Sequence, residues 1–163
     1  MDLTVIIISY NGREMTLACL GSVFGTVKKA AEVVLVDNGS SDGTAEAVAA
    51  AHPQARLIRN PENRGFAAAV NQALRAAKGR VFVLLNNDAR PEAGALDGLV
   101  DFLDANAKAG MAGPQLLHED GRAQNSYDNC PTLASSVMNK GLLRLAFPSR
   151  FPSKRQRHAE PVA

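Results

Sequence analysis

The sequence predicts an α/β fold in which helices cover both faces of a mostly parallel, Rossmann-like sheet. Apolar runs that do not alternate with polar residues occur at residues 5–8, 33–36 and 81–85, as in strands buried on both faces of a sheet. Segments with helical periodicity lie between and after these runs. Four β-α pairs in succession favour a parallel sheet with right-handed crossovers. At 163 residues, the chain is long enough for one such domain.

The predicted elements of the first half are bounded by residues that end strands or begin helices. Asn11 and Gly12 follow the first strand, and this dipeptide favours a tight turn. Ser41 or Asp42 is expected to cap the second helix, which ends before Pro53. The strands are predicted at residues 3–9, 32–37, 55–59 and 81–85, and the helices at residues 13–25, 45–51, 66–77 and 91–103.

The third helix has the most regular amphipathic pattern, and we expect its apolar stripe to be buried. The stripe consists of Phe66, Val70, Ala73, Leu74 and Ala77. Pro91 suits the first turn of the fourth helix. Beyond Gly110 the pattern is less regular, and it predicts a strand at residues 111–117, a turn at 118–121 and a helix at 131–147.

Composition and charge argue against several classes of protein. A hydrophobic content of 46% and a charged content of 21% are ordinary for a soluble globular protein. The net charge of +2 and the lack of Trp argue against a nucleic-acid partner. Cys19 and Cys130 have no metal-ligand spacing, so we expect free thiols in a reducing cytosol. No secretory leader or stretch of membrane-span length is visible, which favours a cytoplasmic protein.

Polar side chains stand where three of the predicted strands end. Ser9, Tyr10 and Asn11 follow the first strand, Asp37 and Asn38 the second, and Asn86, Asn87 and Asp88 the fourth. The carboxyl ends of parallel strands meet at one edge of the sheet, where ligands bind in such folds. Each residue singly is also an ordinary turn or capping residue, but their joint placement on one edge favours a ligand site.

These residue types suit a nucleotide that carries a diphosphate. Asp37 can accept hydrogen bonds from a base or from ribose hydroxyls, and the ring of Tyr10 can pack against the base. Arg64 and the amide groups after Gly65, at a helix N-terminus, can meet the diphosphate. Asp88 beside two amides suits a hard divalent cation that also contacts phosphate. The Gly-x-Gly-x-x-Gly and Gly-Lys-Ser/Thr phosphate motifs are missing, which argues against the common dinucleotide and P-loop sites.

Four motifs in register closely resemble family 2 glycosyltransferases of the GT-A fold, and within them the rhamnosyltransferase-like branch. The motifs are residues 5–11, 36–44, 63–67 and 85–88, and residues 113–117 and 120–122 add to the likeness. The resemblance covers residues 3–130. It implies an inverting transferase that uses a nucleotide-diphospho-sugar (UDP, dTDP or GDP) and Mg²⁺ or Mn²⁺, with a glycan or lipid-linked acceptor, in bacterial polysaccharide or cell-surface glycan synthesis.

The resemblance also assigns roles to individual residues. It implies that Asp88 is the metal ligand of an Asp-x-Asp motif in which Asn86 replaces the first acid, so that metal binding rests on one carboxylate. The nucleotide-binding residues that it implies, together with those suggested by their place at the strand ends, are Ser9, Tyr10, Asn11, Asp37, Arg64, Gly65, Asn86 and Asn87.

The family's acidic motif for the catalytic base is not found downstream of Asp88. Glu119, Asp120 and Asp128 are the last three carboxylates before the basic tail, and none of them is assigned as the base, so the catalytic residue stays unassigned. We predict a nucleotide-sugar-binding domain over residues 1–130 and a basic tail over 131–163 that belongs to an incomplete acceptor region. The alternative functions are a non-catalytic nucleotide-sugar-binding module and, with less support, a sugar-phosphate nucleotidyltransferase.

The basic tail itself allows two interpretations. Leucines and phenylalanines lie among its arginines and lysines, as in segments that bind an anionic membrane surface. Such contact would place the protein peripherally at the inner face of the membrane. We favour the other interpretation, in which the tail is part of the acceptor region, because basic amphipathic stretches are often only solvated faces.

Overall fold

The computed structural model describes residues 1–118, 120–124 and 145. Its first compact unit, residues 1–112, contains the eight predicted elements in the predicted order. The elements are β1 Leu3–Ser9, α1 Arg13–Thr26, β2 Ala31–Asp37, α2 Thr44–Ala51, β3 Arg56–Arg59, α3 Phe66–Ala76, β4 Val81–Asn86 and α4 Ala95–Ala105.

The four strands form one parallel sheet in the order β3-β2-β1-β4, which confirms the predicted fold class. The chain runs outward from β1 to β2 and β3, and then crosses to the other side of β1 to form β4. The direction of winding therefore reverses between β1 and β4. In open α/β sheets, the crevice at such a reversal is where ligands bind.

Helices cover both faces of the sheet, as predicted. On one face, Leu20 and Val23 of α1, Val48 of α2, and Leu96 and Val100 of α4 share a core with β1 and β2. On the other face, α3 buries two alanines against a smaller cluster. That cluster consists of Ala69, Ala73, Ile6, Val34 and Val36.

The prediction that β4 is buried on both faces is wrong. Val81, Val83 and Leu85 pack against the larger core, but Phe82 and Leu84 on the opposite face are 49% and 50% exposed. β4 is an edge strand of the described sheet, and α3 packs on β1 and β2 rather than over β4. The apolar run indicated a preference for burial, but it carried no information about which part of the chain covers the second face.

Two predicted helices differ from the structure in detail. In α3, Phe66 is 56% and Leu74 39% exposed, so part of the predicted apolar stripe has no cover among the described residues. The fourth helix begins at Ala95 rather than at Pro91, because Gly94 adopts φ +80° and interrupts the helical backbone before it. Glycine reaches this left-handed conformation without the steric cost that other residues meet.

The second compact unit comprises residues 113–163, of which only a few are described. Its predicted turn is present: His118 N–H donates to Arg122 O (2.8 Å), and Leu117 and Ala123 form an antiparallel bridge. The predicted strand at 111–117 is wrong, since only Leu117 takes part in a bridge. The predicted helix at 131–147, the boundary at 130 and most of the basic tail lie outside the described residues and stay predictions. Within the part of the chain that is described, no helix is both long and apolar enough to span a membrane.

Candidate functional site

The strand register brings the predicted site residues to one edge of the sheet. Ser9 at the end of β1 pairs with Asp37 at the end of β2, and Ile8 pairs with Asn86 at the end of β4. The polar residues that follow β1 and β4 therefore leave the sheet at the same level. Tyr10 follows directly after Ser9, and its side chain is 52% exposed, so the ring is accessible to a ligand. Residues far apart in sequence thus surround the crevice at the switch point.

The loops after β1 and β2 are joined to each other by hydrogen bonds. Asn11, which adopts φ +50°, accepts from Ser41 N–H through Oδ1 (2.8 Å) and donates its backbone N–H to Ser40 Oγ (3.0 Å). The Ser40 hydroxyl in turn donates to Asp37 Oδ1. Because Asp37 is only 3% exposed, this bond helps to compensate the burial of its carboxylate. Asn11 therefore acts on the position of Asp37 through Ser40.

Asp42 links the starts of two helices at the same edge. Its carboxylate accepts the backbone N–H groups of Arg13 and Thr44, each at 3.1 Å. The hydrogen bond from the Thr44 hydroxyl and these backbone bonds lower the pKa of Asp42 below its ordinary value. The prediction that Ser41 or Asp42 is the N-cap of α2 is wrong, because Gly43 occupies that position. Asp42, one residue earlier, still accepts the first amide of the helix, Thr44 N–H.

The end of β4 turns sharply at the predicted metal motif. Ala89 N–H donates to Asn86 O (3.1 Å), which closes a turn with Asn87 and Asp88 at its centre. The Cys19 thiol of α1 donates a hydrogen bond to Asn86 O (3.5 Å). Burial raises the pKa of Cys19 to about 11, and the nearby Asp88 carboxylate contributes in the same direction. Asp88 itself is exposed, so its carboxylate is accessible to a ligand.

Asn87 and Ser9 face a buried network rather than solvent. Asn87 Nδ2 donates to Thr16 Oγ1 (3.2 Å), and the hydroxyl groups of Thr16 and Ser9 lie 2.7 Å apart. Ser9 is 1% and Thr16 0% exposed. Gly12 leaves space for this arrangement, because a Cβ atom there would lie 2.6 Å from Asn87 Nδ2. In this conformation, Ser9 and Asn87 join β1, α1 and β4 at the base of the crevice.

Arg64 and Gly65 lie between β3 and α3, and both are exposed. Gly65 adopts φ +81°, and no side chain caps the N-terminus of α3 that follows it. Arg64 forms no salt bridge with any residue that the structure describes. An available guanidinium group next to uncapped helix amides is a suitable environment for an anion such as a phosphate.

The donor groups of the turn after β4 fit a magnesium or manganese ion that is shared with a phosphate. The described residues contain no group of three or more His, Cys, Asp or Glu side chains that could hold a metal by themselves. Asp88 offers one accessible carboxylate. Mg²⁺ is commonly held by one or two carboxylates together with water and substrate phosphates, so the ion and a diphosphate would have to bind together.

The family model described as Glycosyl transferase family 2 matches residues 4–160. The chain belongs to this family. The chain is 28% identical over 149 residues to N-acetylglucosaminyl-diphospho-decaprenol L-rhamnosyltransferase of Mycobacterium tuberculosis, a match that covers 84% of the chain and 48% of that relative. It is 31% identical over 128 residues to the succinoglycan biosynthesis protein ExoO of Rhizobium meliloti, covering 77% of the chain and 37% of ExoO. The chain thus spans about half or less of the length of these curated relatives.

Solved structures show that the chain has the GT-A fold. A mannosyltransferase from Pyrobaculum calidifontis in complex with GDP-Man and Mn²⁺ superposes with a TM-score of 0.59 at 36% identity, covering 63% of this chain and 32% of that one. S. aureus TarS (residues 1–349), in complex with UDP-GlcNAc, gives a TM-score of 0.60 at 24% identity, covering 71% and 37%. The predicted family and the predicted GT-A fold are confirmed. The predicted likeness to rhamnosyltransferases is confirmed by the relative from M. tuberculosis.

Sequence reasoning did not assign roles to several residues that hold the site together. These residues are Thr16, Asn38, Ser40, Asn60 and Asn63. All are small and polar and stand in loops or in the first turn or two of a helix, where such residues are ordinary. Their partners lie up to 71 residues away in the chain, so no local pattern could have identified them.

Proposed function

We propose that the transferase binds a nucleotide-diphospho-sugar in the crevice between β1 and β4, and that the sugar passes with inversion to an acceptor hydroxyl. The roles of the relatives suggest bacterial polysaccharide or cell-surface glycan synthesis, with a glycan or lipid-linked acceptor. The observation that carries the proposal is the register of the sheet, which aligns Ser9 with Asp37 and Ile8 with Asn86. It gathers one carboxylate for a nucleoside and another for a metal at a single edge.

In this proposal, the nucleoside lies over the ends of β1 and β2. Asp37 accepts hydrogen bonds from the base or ribose, and Tyr10, with its exposed ring, packs against the base. Asn11 supports Asp37 through Ser40, and Ser9 holds the end of β1 to α1 through Thr16. UDP, dTDP and GDP all satisfy this description.

The diphosphate lies between two cationic groups on opposite sides of the crevice. Arg64 and the first amides of α3 bind it from one side, where hydrogen bonds to charged phosphate oxygens are strong. Asp88 holds Mg²⁺ or Mn²⁺ on the other side, with Asn86 and Asn87 in the same turn. A divalent cation bound there would neutralise negative charge on the departing nucleoside diphosphate. The Mn²⁺ in the 36%-identical mannosyltransferase supports this choice of ion.

Two described carboxylates beyond Asp88 lie away from the crevice, which favours a second candidate function, a donor-binding module that transfers no sugar on its own. Asp97 accepts the backbone N–H groups of Lys28 and Lys29, and Asp104 forms a salt bridge with Arg80. These partners precede β2 and β4, at the edge of the sheet opposite the crevice. A base must approach within about 3 Å of the acceptor hydroxyl, so neither Asp97 nor Asp104 can serve in this arrangement.

Thermal unfolding with and without nucleotide tests the proposal. We expect UDP, dTDP or GDP to raise the melting temperature in the presence of Mn²⁺, and we expect this shift to disappear in Asp88→Ala. Asp101→Ala is the matched control, since this exposed carboxylate pairs with Lys29 far from the crevice and should keep the shift. If none of the three nucleotides stabilises the wild-type chain, donor binding is refuted. If a nucleotide does stabilise the chain, a labelled nucleotide-sugar separates the two functions: a transferase releases or transfers the labelled sugar, whereas a binding module leaves the donor intact.

A further inference from the structure

The loop of residues 60–65, which carries Arg64 and Gly65, is held by one buried side chain at the end of β2. Asn38 is 2% exposed. Its Nδ2 group donates to Asn63 Oδ1 (2.9 Å) and to Gly65 O (3.4 Å). Its Oδ1 atom accepts from Asn60 Nδ2 (3.0 Å) and from Arg64 N–H (3.2 Å). The side-chain amide of Asn38 therefore uses both of its donors and both of its acceptor positions within this loop.

The backbone around Asn38 connects the loop to the rest of the edge. Asn38 N–H donates to Ser9 O (2.8 Å), and Asn60 N–H donates to Asp37 O (2.8 Å). Asn63 completes the arrangement, because its Oδ1 also accepts Gly65 N–H (2.9 Å). The backbone and the side chain of Asn38 together thus link the ends of β1 and β2 to the start of α3.

Close backbone packing next to Asn38 leaves the loop little freedom to move toward β2. Gly39 adopts φ +85°, and a Cβ atom there would lie 2.6 Å from Glu62 C and 2.9 Å from Asn63 N. Van der Waals contact therefore limits movement of the loop toward β2, and the hydrogen bonds of Asn38 limit movement away from it. A serine hydroxyl has one donor and a single oxygen atom, so it could not replace the two N–H donors and the separate carbonyl oxygen of Asn38.

We propose that Asn38 is a positioning residue for donor binding: it fixes Arg64 and the N-terminus of α3 at the distance from Asp37 that a nucleoside diphosphate requires. This inference rests on the proposed function, because it assigns the two groups to opposite ends of one ligand. Asn38 itself need not contact the ligand, since its amide is fully occupied by the protein. Its effect on affinity comes from the entropy that a pre-ordered loop does not lose on binding.

The test compares Asn38→Ala with Thr4→Val, a control that removes an equally buried polar group. Thr4 is 0% exposed; its hydroxyl donates to Glu32 and accepts from Gly79 N–H at the opposite edge of the sheet. We expect Asn38→Ala to weaken the binding of UDP, dTDP or GDP with Mn²⁺ by about tenfold or more. Thr4→Val should lower the melting temperature but leave the affinity nearly unchanged.

Amide hydrogen exchange of the free protein provides a readout that does not require any ligand. The Arg64 and Gly65 amides should exchange faster in Asn38→Ala and remain unchanged in Thr4→Val. If Asn38→Ala does not fold, Asn63→Ala tests the same link from the exposed side of the loop. The proposal is overturned if the Arg64 and Gly65 amides keep their protection in Asn38→Ala, or if Asn38→Ala and Thr4→Val reduce the affinity equally. Failure of the wild-type chain to bind any nucleotide would refute the proposed function, whereas the exchange data would still decide whether Asn38 holds the loop.

Discussion

Replacing Gly39 with alanine should cost more stability than a similar replacement at another left-handed glycine. The Cβ atom would overlap with backbone atoms of Glu62 and Asn63, at 2.6–2.9 Å, and backbone atoms cannot rotate away as a side chain can. Overpacking of this kind costs about 1–3 kcal/mol. The left-handed backbone of Gly39 adds roughly 1–2 kcal/mol for a residue with a Cβ. We expect Gly39→Ala to lower the free energy of unfolding by about 2–5 kcal/mol.

Gly94→Ala isolates the part of this effect that comes from backbone conformation. Gly94 has φ +80°, close to the +85° of Gly39, but a Cβ atom there would meet nothing within 4 Å. This variant should lose only about 1–2 kcal/mol. Urea unfolding of the two variants measures the difference directly, since the midpoint shifts at constant slope when only stability changes.

Nucleotide binding adds a functional readout to the same pair of variants. The overlap at Gly39 displaces residues 62 and 63, which adjoin Arg64, so Gly39→Ala should bind UDP, dTDP or GDP more weakly than Gly94→Ala does. Equal losses of stability in the two variants would mean that the loop moves away at no cost. The account of a loop packed tightly on β2 would then be refuted.

Two further predictions concern groups whose pKa values are shifted. Burial raises the pKa of Cys19 to about 11, so in a Cys130→Ser variant the remaining thiol should resist alkylation at pH 8 until the protein is unfolded; rapid labelling of the folded protein would contradict this. Partial burial raises the pKa of Glu32, but hydrogen bonds from the Thr4 hydroxyl and the Lys78 backbone N–H have the opposite and together larger effect. The pKa of Glu32 therefore lies below its ordinary value. A lowered carboxylate pKa stabilises the folded state above its unfolded pKa, and this stabilisation is lost as the pH falls through the folded value. Glu32→Gln should therefore flatten the loss of stability at acid pH, as measured by urea unfolding across the acid range.

The fold could be predicted from the sequence because its determinants are local. The apolar runs, the helical periodicity and the turn residues act over a few positions, and the four β-α pairs leave few topologies open. The prediction that Ser9, Asp37 and Asn86 share one edge followed from this topology alone, and the strand register confirms their placement. The family was visible in the same way, because its motifs lie at the strand ends.

The exposure of the second face of β4 could not be predicted from the sequence. Phe82 and Leu84 are apolar, as are the buried Leu3 and Val5, and a strand pattern does not say which distant segment packs on it. The same limit applies to Phe66 and α3. Burial is a property of the whole arrangement, and the described residues provide cover for one face of β4 only.

The sequence by itself determined the order of the elements, the edge where the polar residues meet and the family to which the chain belongs. Only the tertiary structure decided which of these residues face the crevice. Asn87 and Ser9 bind Thr16, Asn11 acts through Ser40, and Asn38 holds Arg64. The physical reason is that a hydrogen bond depends on the distance and direction between two groups. Residues 71 positions apart acquire that geometry only when the sheet has formed.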